Sequence, residues 1–142
     1  MNRRRCDDGS VLPLVVGVVV IVVALVTVVT DVSVLYLQRR SLQAVVDGAA
    51  LAGAQGVDLA RVYAGGARGD LVLDPRASRA EVSSYVRAVP NPPSGLRVVS
   101  VGVVTTTVTV RAQAIVRPPF LAFVTGRDVT VVAEASARTT TG

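Results

Sequence analysis

Twenty consecutive positions, residues 11–30 (VLPLVVGVVVIVVALVTVVT), carry no charge. As an α-helix rising 1.5 Å per residue, the run covers about 30 Å, the hydrocarbon thickness of a bilayer. Pro13 falls in the first turn, where a missing N–H costs little. The pattern predicts one membrane span. It is long for the apolar core of a secretory signal, and no A-x-A site follows it, so removal by signal peptidase is not expected.

The helix has no reason to stop at the membrane surface, because no Gly or Pro stands between Gly17 and Gly48. Past residue 30 the pattern becomes amphipathic. At about 100° per residue, Leu35, Leu42, Val45, Val46, Ala49, Ala52 and Gly53 share one face. Arg40, Gln43, Asp47 and Gln55 lie opposite, with Ala50 on that side beside Asp47, while Gln38 and Leu51 break the pattern. One unbroken helix to about Gln55 is predicted. Its apolar face is built mostly from small residues, which admit a close neighbour. That neighbour is either the protein's own outer domain or equivalent helices in an assembly, and the two can hold along different parts of the helix.

Residues 56–69 are Gly-rich and read as loop, with a short helical turn around Leu59 to Tyr63; residues 71–73 read as a short strand. Asp74-Pro75 supplies an N-cap and a first-turn proline for a helix over 75–89, with Val82, Val86 and Val89 on one face. Glu81 comes too late for a capping box. Pro90 to Pro93 ends the helix. From Leu96 the period becomes two. Val99, Val101 and Val103 form one set of alternating apolar positions. Val108, Val110, Ala112, Ala114 and Val116 form a second; Val129, Val131, Ala133, Ala135 and Ala137 form a third. Such strands are half-buried with one polar face. Thr105 to Thr107 offers no Gly, which leaves a tight hairpin and one long bent strand both open. Phe120 to Thr125 suits one or two helical turns closed by Gly126.

The fold class is therefore α+β: a single N-terminal transmembrane helix, extended into a long amphipathic helix that packs on a small antiparallel sheet of three or four strands. The divisions are a tail (1–10), a span (11–30), a helical extension (31–56) and a small outer domain (57–142). Docking of the long helix is expected to be needed for the stability of so small a core.

Composition narrows the function. All fifteen basic residues are Arg, and His is absent, which removes the usual general base near neutral pH and the commonest metal ligand. Cys6 is the lone cysteine and precedes the apolar run, so neither an internal disulfide nor a lipoprotein cysteine is indicated. The net charge of +5 is spread along the chain without an interleaved aromatic stripe, so no nucleic-acid partner is expected. The one cluster, Arg3 to Arg5, just precedes the span and predicts a cytoplasmic N-terminus with the rest extracytoplasmic. Nothing in the sequence brings Glu81 and Glu134, the two glutamates, together. No metal-ligand spacing, catalytic triad or phosphate loop is present, so neither enzymatic activity nor a cofactor is expected. Asp31, at the end of the span, reaches water or partners a basic residue on an adjacent membrane helix.

An ordered series of residues carries a resemblance. Gly9-Ser10 and Pro13 lead into the span, followed by Asp31, Leu35-Tyr36-Leu37, Arg39-Arg40, Leu42-Gln43 and Asp47-Gly48-Ala49-Ala50-Leu51-Ala52. This stretch, residues 9–55, resembles the N-terminal region of TadE/TadG-like proteins of the Tad (Flp) pilus-assembly system. Two strands flanking PPFLAFVTG resemble the C-terminal half of such proteins. The resemblance implies a non-enzymatic, pilin-like, membrane-anchored component or assembly factor. Its partners would be membrane lipid and other pilus or secretion components, homologous pilin-like subunits among them. A membrane-anchored envelope protein of another export system is the alternative. The resemblance also makes Gly9 and Ser10 a candidate processing site. Prepilin-type chains carry Glu at the fifth mature position, where a cut after Gly9 would place Leu14, so poor cleavage is expected.

Overall fold

A computed structural model describes residues 11–57 and 72–139. Arg3 to Arg5, the candidate processing residues Gly9 and Ser10, and the expected loop and helical turn within residues 58–71 lie outside the described residues.

The uncharged apolar run and the amphipathic run form one helix, α1 (Val11–Gly53, 43 residues), without interruption. Its hydroxyls support this. Thr27, Thr30 and Ser33 donate to the carbonyls of Val23, Val26 and Val29 at 2.8, 2.8 and 2.7 Å. Polar side chains satisfied one turn back leave no group seeking water within the apolar run. α1 is bare along this part and meets the rest of the fold only farther along.

The second helix, α2 (Pro75–Ala88), begins as its sequence indicates: the Asp74 carboxylate accepts from the Arg76 N–H at 2.9 Å, and proline follows the cap. α2 packs on the end of α1, burying Val82 and Ser78. Three strands follow, β1 (Arg97–Val104), β2 (Thr107–Val116) and β3 (Val129–Arg138), joined in antiparallel order β1-β2-β3. A short helix, α3 (Pro119–Thr125), crosses from β2 to β3 and ends on left-handed Gly126. Instead of a strand around Leu73, there is an isolated antiparallel bridge between Val57 and Leu73.

The outer half of α1 lies on one face of this sheet, against β2 and β3. Val108, Val110, Ala112, Ala114 and Val116 are all buried there, with Ala133 and Ala137 beside them. The lengths match. The 22 steps from Asp31 to Gly53 rise about 33 Å as helix, close to the span of a ten-residue strand. The β2–β3 crossover therefore sits beside Asp31. The free end of β3 sits beside the C-terminal end of α1, where the Thr139 hydroxyl donates to the Ala54 carbonyl at 2.9 Å. The other sheet face is mixed, with exposed Val104, Ile115 and Val132 among polar residues. Arg111 pairs with Glu134 at 3.0 Å, and the hydroxyls of Thr109 and Ser136 meet at 3.4 Å.

Two local expectations change. β1 carries a bulge between Val98 and Ser100, so Val98 and not Val99 pairs with Ala112. The extra residue reverses the alternation, leaving Val99 exposed while Val101 and Val103 pack against the core. At the β1–β2 junction a tight hairpin forms without glycine, with Thr105 at φ 49°. A β-branched residue is unfavourable there. Hydrogen bonds from Leu73 N–H to Thr105 O (2.9 Å) and from Thr139 N–H to Thr106 O (2.8 Å) hold the turn.

Candidate functional site

Leu42, Val45, Val46, Ala49 and Gly53 are buried, whereas Leu35 and Ala52 are only half-buried. Leu35 points the same way as Leu42 but stands where the sheet is running out, over Thr130 to Val132. The buried stripe also takes in Ala50, which the helical wheel had set on the far side. The spacing 42, 45, 46, 49, 50, 53 is a full-width helical stripe, because both the sheet and α2 cover the helix.

Small residues make that double cover possible. A Cβ on Gly53 would stand 2.8 Å from a methyl of Val82 and 3.0 Å from one of Val108, so this glycine lets α2 and β2 close on α1 together. Gly48 is covered by the ring of Tyr85. On the opposite side, Gln43 donates to Asp47 Oδ1 at 2.9 Å and to the Glu134 carbonyl at 3.3 Å, fastening α1 to the edge strand β3. Leu37, Leu51 and Tyr36 remain exposed.

Asp31 was expected to reach water or a basic residue on another helix. It is half-exposed, and its carboxylate accepts from the backbone N–H groups of Phe120 (3.1 Å) and Leu121 (2.7 Å), at the start of α3. α3 needs such an acceptor, because its own N-cap position is Pro118, whose side chain makes no capping bond. A carboxylate at the positive end of the helix also complements its dipole. Pro118 is buried, and Arg117 and Asp128 close the crossover with a two-pronged ion pair at 3.0 and 3.1 Å. Asp31→Ala should release α3 from α1 at a cost of about 0.5–2 kcal/mol, the range for losing a capping side chain. Faster amide exchange at Phe120 and Leu121 than in the wild type checks this. Unchanged exchange would mean that the crossover is held without Asp31.

Glu81 is exposed on α2 and Glu134 is ion-paired on β3, so the two glutamates stand apart on separate elements. Among the described residues no group of three or more His, Cys, Asp or Glu could hold a metal ion. The surface depressions there are shallow and open, beside Tyr36 and Arg39 and between Gly48 and Tyr85.

A bare apolar helix carrying a small α+β head defines a class, that of proteins with one candidate membrane-spanning helix near the N-terminus and a domain folded back on its extension. Within that class, residues 9–56 match the family model for Tad, Flp pilus-assembly TadE/G-like. The match ends just after α1, so it covers the candidate span and its docked extension. No curated protein and no solved structure matches the chain. The family match makes it similar to components of the Tad/Flp pilus apparatus.

Proposed function

We propose that the chain is a non-enzymatic, membrane-anchored, pilin-like component or assembly factor of a Tad/Flp-type pilus. The observation that carries this reading is the coincidence of the family match with one continuous helix, bare over its apolar half and docked over its outer half. A helix that leaves the membrane unbroken makes a stiff connection between the bilayer and the outer domain. The outer domain occupies most of the small-residue face. Lateral contacts with neighbouring pilus components therefore fall to the apolar span and to exposed outer positions such as Leu37 and Leu51.

The proposed topology places the N-terminus in the cytoplasm and the sheet outside, following the Arg3–Arg5 cluster. An alkaline phosphatase fused after Gly142 should be active; activity only from a cytoplasmic reporter at that site would reject the orientation. Because Leu14 takes the position of the usual Glu, co-expression with a prepilin peptidase should leave the bond after Gly9 largely intact. Intact-mass measurement decides this, and a dominant species beginning at Ser10 would show that the leucine is tolerated.

Co-purification tests the function itself. Tagged protein solubilised from a membrane with an active Tad apparatus should bring down other pilus components. Deletion of its gene should reduce surface piliation. A normal pilus count in the deletion strain would reject the assignment.

A further inference from the structure

The crossover helix α3 exposes an apolar surface that the fold leaves uncovered. Phe120 and Leu121 are 43% and 42% exposed, and Phe123 and Val124 are 90% and 80% exposed. The chain has two phenylalanines, and both are here. Elsewhere in the outer domain β2 buries every alternate side chain, and the exposed apolar residues of the sheet, Val99, Val104, Ile115 and Val132 among them, are aliphatic and stand among threonines, an ion pair and a glutamine. Two outward phenylalanines in one seven-residue helix are therefore unlike the rest of this domain.

Position identifies what covers them. The Asp31 carboxylate grips the N-terminus of α3, and Asp31 directly follows the twenty-residue uncharged run. A seven-residue helix is about 10 Å long, so all of α3 lies within about that distance of the level where the run ends. The zone between hydrocarbon and water has a similar thickness. The exposed side chains of α3 thus stand at the level where the exposed apolar surface of the span, Val28 included, begins. The flanks suit the same zone. Arg117 and Arg127 bracket α3, and Tyr36 is exposed little more than a turn beyond Asp31.

We propose that α3 is a second membrane contact, a short wedge whose Phe120, Leu121, Phe123 and Val124 enter the headgroup–acyl boundary of the outer leaflet. The partner is the lipid surface itself. With the span and the wedge both held, the outer domain is fixed against the bilayer in tilt and rotation, with Asp31 as the clasp between the two. The inference rests on the reading of residues 11–30 as a membrane span, and the test separates the two.

The test uses the full chain with Cys6→Ser, reconstituted into phosphatidylcholine–phosphatidylglycerol vesicles. Single cysteines are placed by Val22→Cys in the span, Val124→Cys on α3 and Val104→Cys beside the distal hairpin, and each carries an environment-sensitive fluorophore. The expected result is loss of emission at Val22→Cys and Val124→Cys when the acyl chains are brominated, with bromine near the headgroup most effective at Val124→Cys. Val104→Cys should respond only to aqueous iodide. Quenching of Val124→Cys by iodide but not by lipid, with Val22→Cys still quenched by lipid, would overturn the wedge and keep the span. Protection of Val124→Cys from both quenchers would overturn it in favour of a protein surface. Failure of lipid to quench Val22→Cys would overturn the span, and the wedge with it.

Discussion

Ala49→Arg is expected to unfold the outer domain, and Ala50→Arg to do nearly the same. Ala49 is 0% and Ala50 1% exposed, and both belong to the cluster that joins Leu42 and Val46 to Val108, Val110, Ala112 and Ala133. A guanidinium forced into that seam has no acid to meet: the buried residues nearest in character are alanines and valines, and the buried polar side chain in the described core is Ser78. An uncompensated buried charge costs several kcal/mol even after relaxation. A small domain has about 5–15 kcal/mol of stability in total, so the loss is a large fraction of it. Asp47→Arg, on the exposed side, gives up one hydrogen bond from Gln43 and should cost less than about 1 kcal/mol. Protease resistance of the outer domain in detergent micelles reads the difference, and co-purification of other pilus components reads its consequence. Loss of both at Ala49 and Ala50 is expected. Loss of co-purification with protease resistance intact would show that this face serves a neighbouring molecule, and equal tolerance of all three would mean that the seam is open to water.

The expected result at Ala50 also shows where sequence stopped being informative. Leu42, Val45 and Val46 have an unambiguous side of the helix because they are large and apolar. Alanine fits either side, so Ala50 and Ala52 were told apart by angle alone, and the angle assumed one covering surface where there are two. β2 was legible for the opposite reason. Five apolar side chains at strict period two leave one solution, and all five are buried. β1 misled through Val98-Val99, because two adjacent valines look the same whether or not a bulge lies between them. The hairpin at Thr105 was masked by a residue type that such turns disfavour; its support comes from Leu73 and Thr139, which are remote in the sequence. The contact of Asp31 with α3 spans 89 residues, and no local pattern could pair them. One clue was present: PPF places a proline at the N-cap, so the helix that follows must find its acceptor elsewhere.

Gly56→Ala is expected to be the most damaging of the methyl additions, and Gly48→Ala, which also meets a close neighbour, to be far milder. A Cβ at Gly56 would lie 2.5 Å from the Ser78 nitrogen, 2.7 Å from its Cα and 2.9 Å from the Ala77 carbonyl carbon. All three are backbone atoms in the opening turns of α2, so no side chain can swing aside. The same residue is tied down by hydrogen bonds. Its carbonyl accepts from the Asp74 N–H at 2.9 Å and from the Ser78 hydroxyl at 3.5 Å, and its own N–H donates to Gly53 O at 3.1 Å. Gly56 is thus the joint at which α2 seats on the end of α1, and a methyl there must lift the helix or break the joint. Overpacking of this kind costs about 1–3 kcal/mol, and the upper end applies because the backbone must move. At about 4–8 °C per kcal/mol, the thermal midpoint in micelles should fall by roughly 12–24 °C. At Gly48 the added Cβ meets the hydroxyl end of the Tyr85 ring, a partly exposed side chain that can shift where backbone cannot. Replacing a mid-helix glycine also favours α1 by up to about 1 kcal/mol. Gly48→Ala should therefore leave the midpoint unchanged or raise it. If both variants melt like the wild type, α2 is not seated on Gly56, and the close packing of the two helices fails as an account of why the chain keeps glycine there.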